Sequence, residues 1–122
     1  MIEFSCREES GIVYVNFSGE VSLKEIEDYL DDFAKRREQT NELLILYDMR
    51  ESYLEMKLDD VSTVLQMAEE STKLYEKVKS AYVVDNPQVA VFTTLFSAKA
   101  DSGKTKRKVF STKEAAVNWL EL

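Results

Sequence analysis

Histidine is missing from all 122 positions of the sequence, and cysteine occurs once, at Cys6. Without histidine there is no Ser-His-Asp or Cys-His catalytic group, no histidine-ligated metal and no imidazole base working near neutral pH. One cysteine cannot form an internal disulfide or a thiolate metal site, and this usage fits the reducing cytoplasm, where we expect the protein to act. These absences favour a protein that is not an enzyme and that carries no metal or other cofactor.

Linker-forming residues and long apolar runs are also scarce. One proline and three glycines mark no boundary between domains, so we expect a single domain over residues 1–122. The longest apolar run is Leu43–Tyr47, far shorter than the roughly 20 residues that a membrane-spanning helix requires. The N-terminal residues also lack the basic and apolar regions of a signal peptide. We therefore expect a soluble domain without a transmembrane segment.

Acidic residues outnumber basic ones, 23 to 16, and the net charge is −7 with an isoelectric point of about 4.7. Nucleic-acid binding needs a positive field to neutralise phosphates. The charge balance therefore disfavours nucleic acid as a partner.

Alternating apolar and polar residues predict a hairpin at the N-terminus. Two runs have the period-two pattern of half-buried strands, and their apolar members are Ile2, Phe4 and Cys6 in the first and Val13, Val15 and Phe17 in the second. The turn between them falls at Glu8-Glu9-Ser10-Gly11, and Gly19 is expected to end the second strand.

Capping signals and helical spacing predict four helices. Three of them start at recognisable caps, namely a capping box at Ser22 and Glu25, an Asx cap with first-turn proline at Asp85-Asn86-Pro87, and a capping box at Ser111 and Glu114. Their predicted core positions include Ile26, Leu30, Phe33 and Ala34, then Val89, Val91, Phe92, Leu95 and Phe96, then Ala115, Ala116, Trp119 and Leu120. The remaining helix is predicted over Leu58–Lys77, because Val61, Val64, Tyr75 and Val78 keep helical spacing.

Three further segments are predicted strands. Leu43–Tyr47 is apolar at every position, as expected of a central strand covered on both faces. Ala81–Val84 and Arg107–Phe110 are shorter candidates. The predicted order is ββαβαβαβα, an α/β single domain with a mixed sheet of about five strands and about four helices.

Four strings of sequence carry a resemblance to a known family, and they are Phe17–Ser22, Leu44–Asp48, Ala81–Asn86 and Lys108–Leu120. Together with the predicted order, they resemble the STAS superfamily, and more closely its SpoIIAA-like branch. That branch is related to anti-sigma-factor antagonists and to lipid-transfer proteins of the CRAL-TRIO type. The resemblance covers nearly the whole chain and implies the STAS-like fold more specifically than any function.

The serine that anti-sigma-factor antagonists phosphorylate has no counterpart in this sequence. In those proteins it lies in an Asp-Ser-x-Gly turn after the central strand, whereas residues 48–62 here contain no glycine. Ser52 falls in a predicted loop and Ser62 in a predicted helix. Phosphorylation-controlled partner switching is therefore not transferred to this chain.

Polar residues after two predicted strands form the first candidate site. They are Asp48, Arg50, Ser52 and Tyr53 after the central strand, and Asp85 and Asn86 after its expected neighbour. The carboxyl edge of an open α/β sheet is where ligands usually bind. One interpretation is structural, with Asp48 and Asn86 capping a turn and a helix. The other is a ligand or partner surface, in which Asp48 and Asp85 could form an acid–base pair.

The segment Asp48–Lys77 is predicted to be the functional surface. Met49, Tyr53, Leu54 and Met56 are expected to be exposed there, with Tyr53 and Met56 as the anchors of an interface. Methionines around the second helix also suit core packing or an apolar groove between the second and third helices.

Basic residues cluster near the last strand, with five of them against Asp101 alone over residues 99–108. Lys104, Lys106, Arg107 and Lys108 have two interpretations, a solvated edge strand or a patch for an acidic partner or an anionic head group. The acidic first helix of a second copy is one such partner. Ser102-Gly103-Lys104-Thr105 is not a phosphate loop, because Ala98 replaces the first required glycine.

Three functions remain open from the sequence. The first is a non-enzymatic STAS-like binding or regulatory module that acts through a protein partner or as a homodimer. The second, implied by the lipid-transfer resemblance, is a small carrier of an apolar or amphipathic ligand. The third is a carboxylate-based hydrolase.

Overall fold

Seven strands and four helices follow one another in the computed structural model, which describes residues 1–5, 11–36, 41–100 and 103–122. In chain order they are β1 (Ile2–Ser5), β2 (Ile12–Phe17), β3 (Gly19–Ser22), α1 (Leu23–Lys35), β4 (Glu42–Asp48), β5 (Ser52–Glu55), α2 (Asp60–Ser71), β6 (Lys77–Val83), α3 (Pro87–Ala100), β7 (Thr105–Phe110) and α4 (Lys113–Leu120). No helix in this part of the chain is both long and apolar enough to cross a membrane.

Five strands form one mixed sheet in the order β1-β2-β4-β6-β7. β1 pairs antiparallel with β2, which confirms the predicted hairpin, and the other three pairings are parallel. Cys6 and the predicted turn residues Glu8, Glu9 and Ser10 lie outside the described residues. β4 occupies the centre of the sheet, as its continuous apolar run predicted.

The two faces of the sheet are covered unequally. Side chains from α1, α2 and α3 pack on one face in the larger core cluster. On the other face, a smaller cluster joins Ala116 and Leu120 of α4 to the sheet residues Ile12 and Leu46. Neighbouring residues of a strand point to opposite faces, so the apolar run of β4 supplies both clusters. The predicted α/β layer fold is confirmed.

A second, two-stranded sheet was not predicted from the sequence. β3 and β5 pair in parallel, so Gly19 begins a strand instead of ending one. Two side chains at the start of α3, one of them from the residue just before the helix, close the free edge of β5. The Gln88 amide accepts a bond from Leu54 N at 3.0 Å and donates one to Leu54 O at 2.7 Å, and Asn86 Nδ2 donates to Ser52 O at 3.0 Å. Both side chains therefore act in place of a third strand.

The second helix is shorter than predicted, because it ends at Ser71 and β6 begins at Lys77. Tyr75 and Val78 are buried as predicted, but Tyr75 lies in the connecting turn and Val78 in the strand. Thr72 stops the helix, since its hydroxyl donates to Ala68 O at 2.9 Å and its carbonyl accepts from Tyr75 N. Pairing of all seven β6 residues with β4 then outweighs the helical spacing.

The helix starts agree with two of the three predicted caps. Ser22 and Glu25 form the reciprocal capping box, and Asn86 Oδ1 accepts from Val89 N at 3.0 Å. The cap of α4 is Thr112, which bonds Ala115 N, and the predicted Ser111 box is wrong. Four predicted core positions are also wrong, because the side chains of Ala34, Val91, Leu95 and Ala115 are exposed.

We expect Leu120→Ala to lower the free energy of unfolding by about 2–5 kcal/mol, because a buried leucine loses its transfer energy and leaves a cavity. Leu120 is 2% exposed and belongs to the one helix that covers its face of the sheet in the described chain. Leu122→Ala is the matched control, since Leu122 is 90% exposed. Urea unfolding of both variants measures the difference. Equal effects would contradict the assignment of α4 to the core.

Candidate functional site

Four polar side chains lie together on the sheet face that α1, α2 and α3 cover. Parallel pairing places Tyr47 beside Tyr82, and in the next row it places Ser80 beside Arg107. The rings of Tyr47 and Tyr82 stack with centroids 5.2 Å apart. We call these four side chains the polar floor. Apart from them, this part of the sheet is apolar, with Ile45 and Val78 as its nearest members.

Tyrosine hydroxyls link the polar floor to the first helix. Tyr29 of α1 lies above Tyr47, with 3.0 Å between the two hydroxyl oxygens. Burial is the main cause that raises the pKa of Tyr29, Tyr47 and Tyr82. For Tyr82, the charge of Arg107 and hydrogen bonds with Arg107 and Ser80 only partly offset this effect. The hydroxyls therefore stay protonated near neutral pH, where they can donate hydrogen bonds.

A cavity of about 90 Å³, counted as the space open to the centre of a water-sized sphere, lies between the polar floor and the helices. Its lining is mainly apolar, with Ile26, Leu30 and Phe33 from α1, Val61, Val64 and Ala68 from α2, Phe92 and Phe96 from α3, and Met49, Leu54 and Met56 from the segments after β4. A single water needs only about 10–15 Å³ by the same measure. The cavity therefore has room for a small organic molecule.

The second helix forms the roof of this cavity. Val61 is the one buried residue within α2, and Val64 and Ala68 are half-buried where they line the cavity. α2 packs mainly against α1 and α3, and much less against the strands. The space beneath α2 is consequently left open between the roof and the sheet.

A compact polar turn follows β4. The Arg50 guanidinium donates to the two carboxylate oxygens of Asp48 at 2.9 and 2.8 Å, which lowers the pKa of Asp48. Ser52 is buried and donates to Met49 O at 2.6 Å. Asp85 accepts from the backbone of Glu51 at 3.4 Å. Each carboxylate thus has its own partner, and both hold loop backbone or a neighbouring side chain.

Glu51 has a strained backbone in this turn. Its φ is +63°, in the left-handed region that residues other than glycine rarely adopt. Its carbonyl accepts from Gly19 N at 3.1 Å, so the strained turn joins the start of β3 to the start of β5.

Comparison with known proteins gives two results. The sequence model of the SpoIIAA-like family matches residues 12–121. The chain belongs to the SpoIIAA-like family. Its fold is similar to the crystal structure of an uncharacterised protein of the DUF3478 family with a SpoIIAA-like fold from Shewanella loihica PV-4. The TM-score is 0.64 at 17% identity, over 98% of this chain and 92% of that one. Comparison with curated proteins gives no match.

The predicted surface of this SpoIIAA-like chain is only partly exposed. Tyr53 is 53% exposed, but Met49 and Leu54 are buried at 5% and 4%, so their predicted exposure is wrong. Met56 is half-buried and lines the cavity. Tyr53 and Met56 therefore do not share one surface, because β5 and the residues after it direct them differently.

The residues at the strand ends have the geometry of caps. Asp48 accepts from Arg50 N at 3.2 Å, and Asn86 caps α3 and holds β5. These contacts agree with the structural interpretation of Asp48 and Asn86. The acid–base pair of Asp48 and Asp85 stays a prediction.

The predicted basic patch is divided between two faces of the sheet. Lys106 and Lys108 are exposed, and Lys108 lies over the ring of Phe110 on the α4 side. Lys104 Nζ donates to Thr72 O at 2.9 Å beyond the strand. Arg107 points the opposite way into the cavity, where its guanidinium lies 4.9 Å from the centroid of Phe96. The four residues do not form one patch.

The polar floor was missed because its members looked like ordinary parts of strands. Alternation along β7 was one available signal for Arg107. It stands between Lys106 and Lys108, so its side chain must point to the opposite face of the sheet. A polar Ser80 beside the apolar Ala81 and Val83 was a second signal. The cavity itself had no local signal, because its lining comes from most elements of the fold.

We expect Asp48→Asn to lower the free energy of unfolding at pH 7 by less than about 1 kcal/mol, because the Asp48–Arg50 pair is partly exposed. The pKa of Asp48 is lowered in the folded state, so its contribution is present above the unfolded value of about 3.9 and is lost as pH falls through the folded value. The stability difference should therefore shrink in acid. Urea unfolding at neutral and acidic pH measures it.

Asp32→Asn is the control for this prediction, because Asp32 is an exposed carboxylate of α1. It should show no comparable difference at neutral pH. A difference for Asp48→Asn that persists undiminished in strong acid would contradict a charge-based contribution.

Proposed function

We propose that this chain is a non-enzymatic binding module that holds a small amphipathic molecule between α2 and the sheet. The cavity of about 90 Å³ is the observation that carries the proposal. Its lining is mainly apolar, with a few polar groups gathered at one side. That combination is the composition expected of a ligand pocket.

The chemistry of the walls supports an amphipathic ligand. Aromatic and aliphatic side chains surround most of the space, and they favour an apolar chain or ring. The polar floor at one side offers hydroxyls and a guanidinium, which would orient the polar end of a ligand. A purely polar solute would lose hydration against the apolar walls without replacement.

The titratable groups of the cavity support binding more than catalysis. Tyr29, Tyr47 and Tyr82 have raised pKa values, so they are poor general bases and poor general acids near neutral pH. These groups are suited to holding a ligand by hydrogen bonds.

We expect Ala68→Leu to weaken binding of the neutral fluorescent probe N-phenyl-1-naphthylamine by about tenfold or more. The larger side chain occupies space that the probe would otherwise fill, and each methylene-sized contact that the probe loses costs roughly 0.8 kcal/mol. Steric overlap between the leucine and the probe adds to this cost. Ala68 lines the cavity from the roof helix. Fluorescence titration measures the affinity. Native mass spectrometry of gently purified wild-type protein should also show a co-purified small molecule, which the variant loses.

Ala34→Leu is the matched control, since Ala34 is an exposed alanine of α1. It makes the same chemical change outside the cavity and should leave probe affinity unaltered. If the wild-type protein binds no probe, or if both variants bind it equally well, the proposed function is wrong.

A protein partner is the second candidate function, and exposed apolar side chains on neighbouring elements favour it. Val91 and Leu95 lie one turn apart on the outer face of α3, at 50% and 37% exposure. The exposed Tyr53 lies near this face, because its neighbour Leu54 is bonded to Gln88. Gln88 lies one turn before Val91 on the same helix. Contact through this surface would bury apolar area that is now in water.

We expect Tyr53→Ser to weaken self-association or partner capture while leaving the thermal midpoint nearly unchanged, because the side chain is exposed and removed from the core. Leu74→Ser is the control, as Leu74 is equally exposed beyond the end of α2. Sedimentation velocity measures self-association. A monomeric wild-type protein with no captured partner would remove this candidate.

A further inference from the structure

Arg107 is the only charged residue among the described residues that line the cavity. Its strand neighbours Lys106 and Lys108 are exposed on the other side of the sheet, so the charge of Arg107 alone is directed under the helices. A charge near apolar walls is costly unless polar groups surround it. Its position therefore needs a chemical explanation that the two neighbouring lysines do not need.

The contacts of Arg107 hold its guanidinium in a defined place. The ring of Phe96 packs against it at 4.9 Å from the centroid, a cation–π contact that fixes the plane of the group. Tyr82 of the adjacent strand lies close enough for the charge of Arg107 to oppose the rise in the pKa of its hydroxyl. The planar guanidinium presents its N–H donors in a fixed fork.

Side chains next to Arg107 extend the same polar region. Ser80 is its registered partner on β6, and Tyr82 is the next residue on that face. Both carry a hydroxyl that donates as well as accepts. One cation and two hydroxyl donors at one end of an apolar space match an anionic head group with an apolar tail.

We propose that the cavity binds a fatty carboxylate, with the carboxylate on Arg107 and the hydrocarbon chain among the apolar walls. This inference rests on the proposed function, since it names the ligand class of the same cavity. A planar guanidinium binds a carboxylate through two parallel hydrogen bonds, which a neutral alcohol cannot accept in the same way. The apolar side chains of α1, α2 and α3 surround the part of the tail next to the carboxylate, and the opening of the cavity to solvent leaves room for the rest.

Displacement of N-phenyl-1-naphthylamine by three ligands of equal chain length tests the head group. Decanoate, decan-1-ol and decyltrimethylammonium are compared with the wild-type protein at slightly alkaline pH, where decanoate is ionised. Decanoate should bind about 10- to 100-fold more tightly than decanol, as expected for hydrogen bonds to a charged group. Decyltrimethylammonium should bind most weakly.

Arg107→Met removes the charge and keeps an apolar side chain of similar length. The ratio of the affinity for decanoate to the affinity for decanol should fall to about one, because hydrogen bonds to the charged guanidinium are the source of the preference. Lys106→Met is the matched control, since it removes the same charge from the adjacent residue on the other face and should keep the preference. Arg107→Lys should retain part of it.

The outcomes separate the two proposals. If decanoate and decanol bind the wild-type protein equally, the carboxylate inference is wrong and the apolar binding function stands. If the probe binds but decanoate does not displace it, the carboxylate inference is also wrong. If the probe itself does not bind, the binding function is wrong as well. Should Arg107→Met fail to fold, the wild-type comparison of the three head groups still decides the inference.

Discussion

Parallel pairing of β4, β6 and β7 determines which side chains meet beneath the three helices. In-register residues of parallel strands lie side by side on one face, so Tyr47 meets Tyr82 and Ser80 meets Arg107. A shift of one residue in β7 would turn Arg107 toward α4 and bring a lysine under the helices. Val109 packs in the larger cluster and Phe110 in the smaller one, so apolar burial on both faces holds the register. The chemistry of the cavity follows from that constraint.

Sequence patterns predicted those parts of the fold that depend on local spacing. The continuous apolar run at Leu43–Tyr47 and the capping box at Ser22 both had one interpretation, and the structure confirms both. The end of α2 could not be predicted from spacing, because Tyr75 and Val78 are buried in a turn and a strand at intervals that also fit a helix. β3 and β5 are each only four residues long, too short for a period to be recognised.

The candidate site was predicted less well than the fold, for a physical reason. Asp48 and Asn86 were located correctly because caps and turns are local, and their structural interpretation agrees with their contacts. The cavity depends on distances between α1, α2, α3 and the sheet, which no single segment encodes. Arg107 shows the difference most clearly. Its charge suggested a basic surface patch, whereas its alternation with Lys106 and Lys108 placed it inside.

Asn86 and Gln88 give the small sheet an end that is made of side chains. The free edge of a strand normally exposes N–H and C=O groups that another chain can pair with, which is a common start of aggregation. Here Ser52 O is already bonded to the amide of Asn86, just before α3, and both backbone groups of Leu54 are bonded to the amide of Gln88 in its first turn. A strand from a neighbouring molecule would first have to displace both amides. The edge is thereby protected against pairing with strands of other molecules, while the side chain of Tyr53 stays accessible.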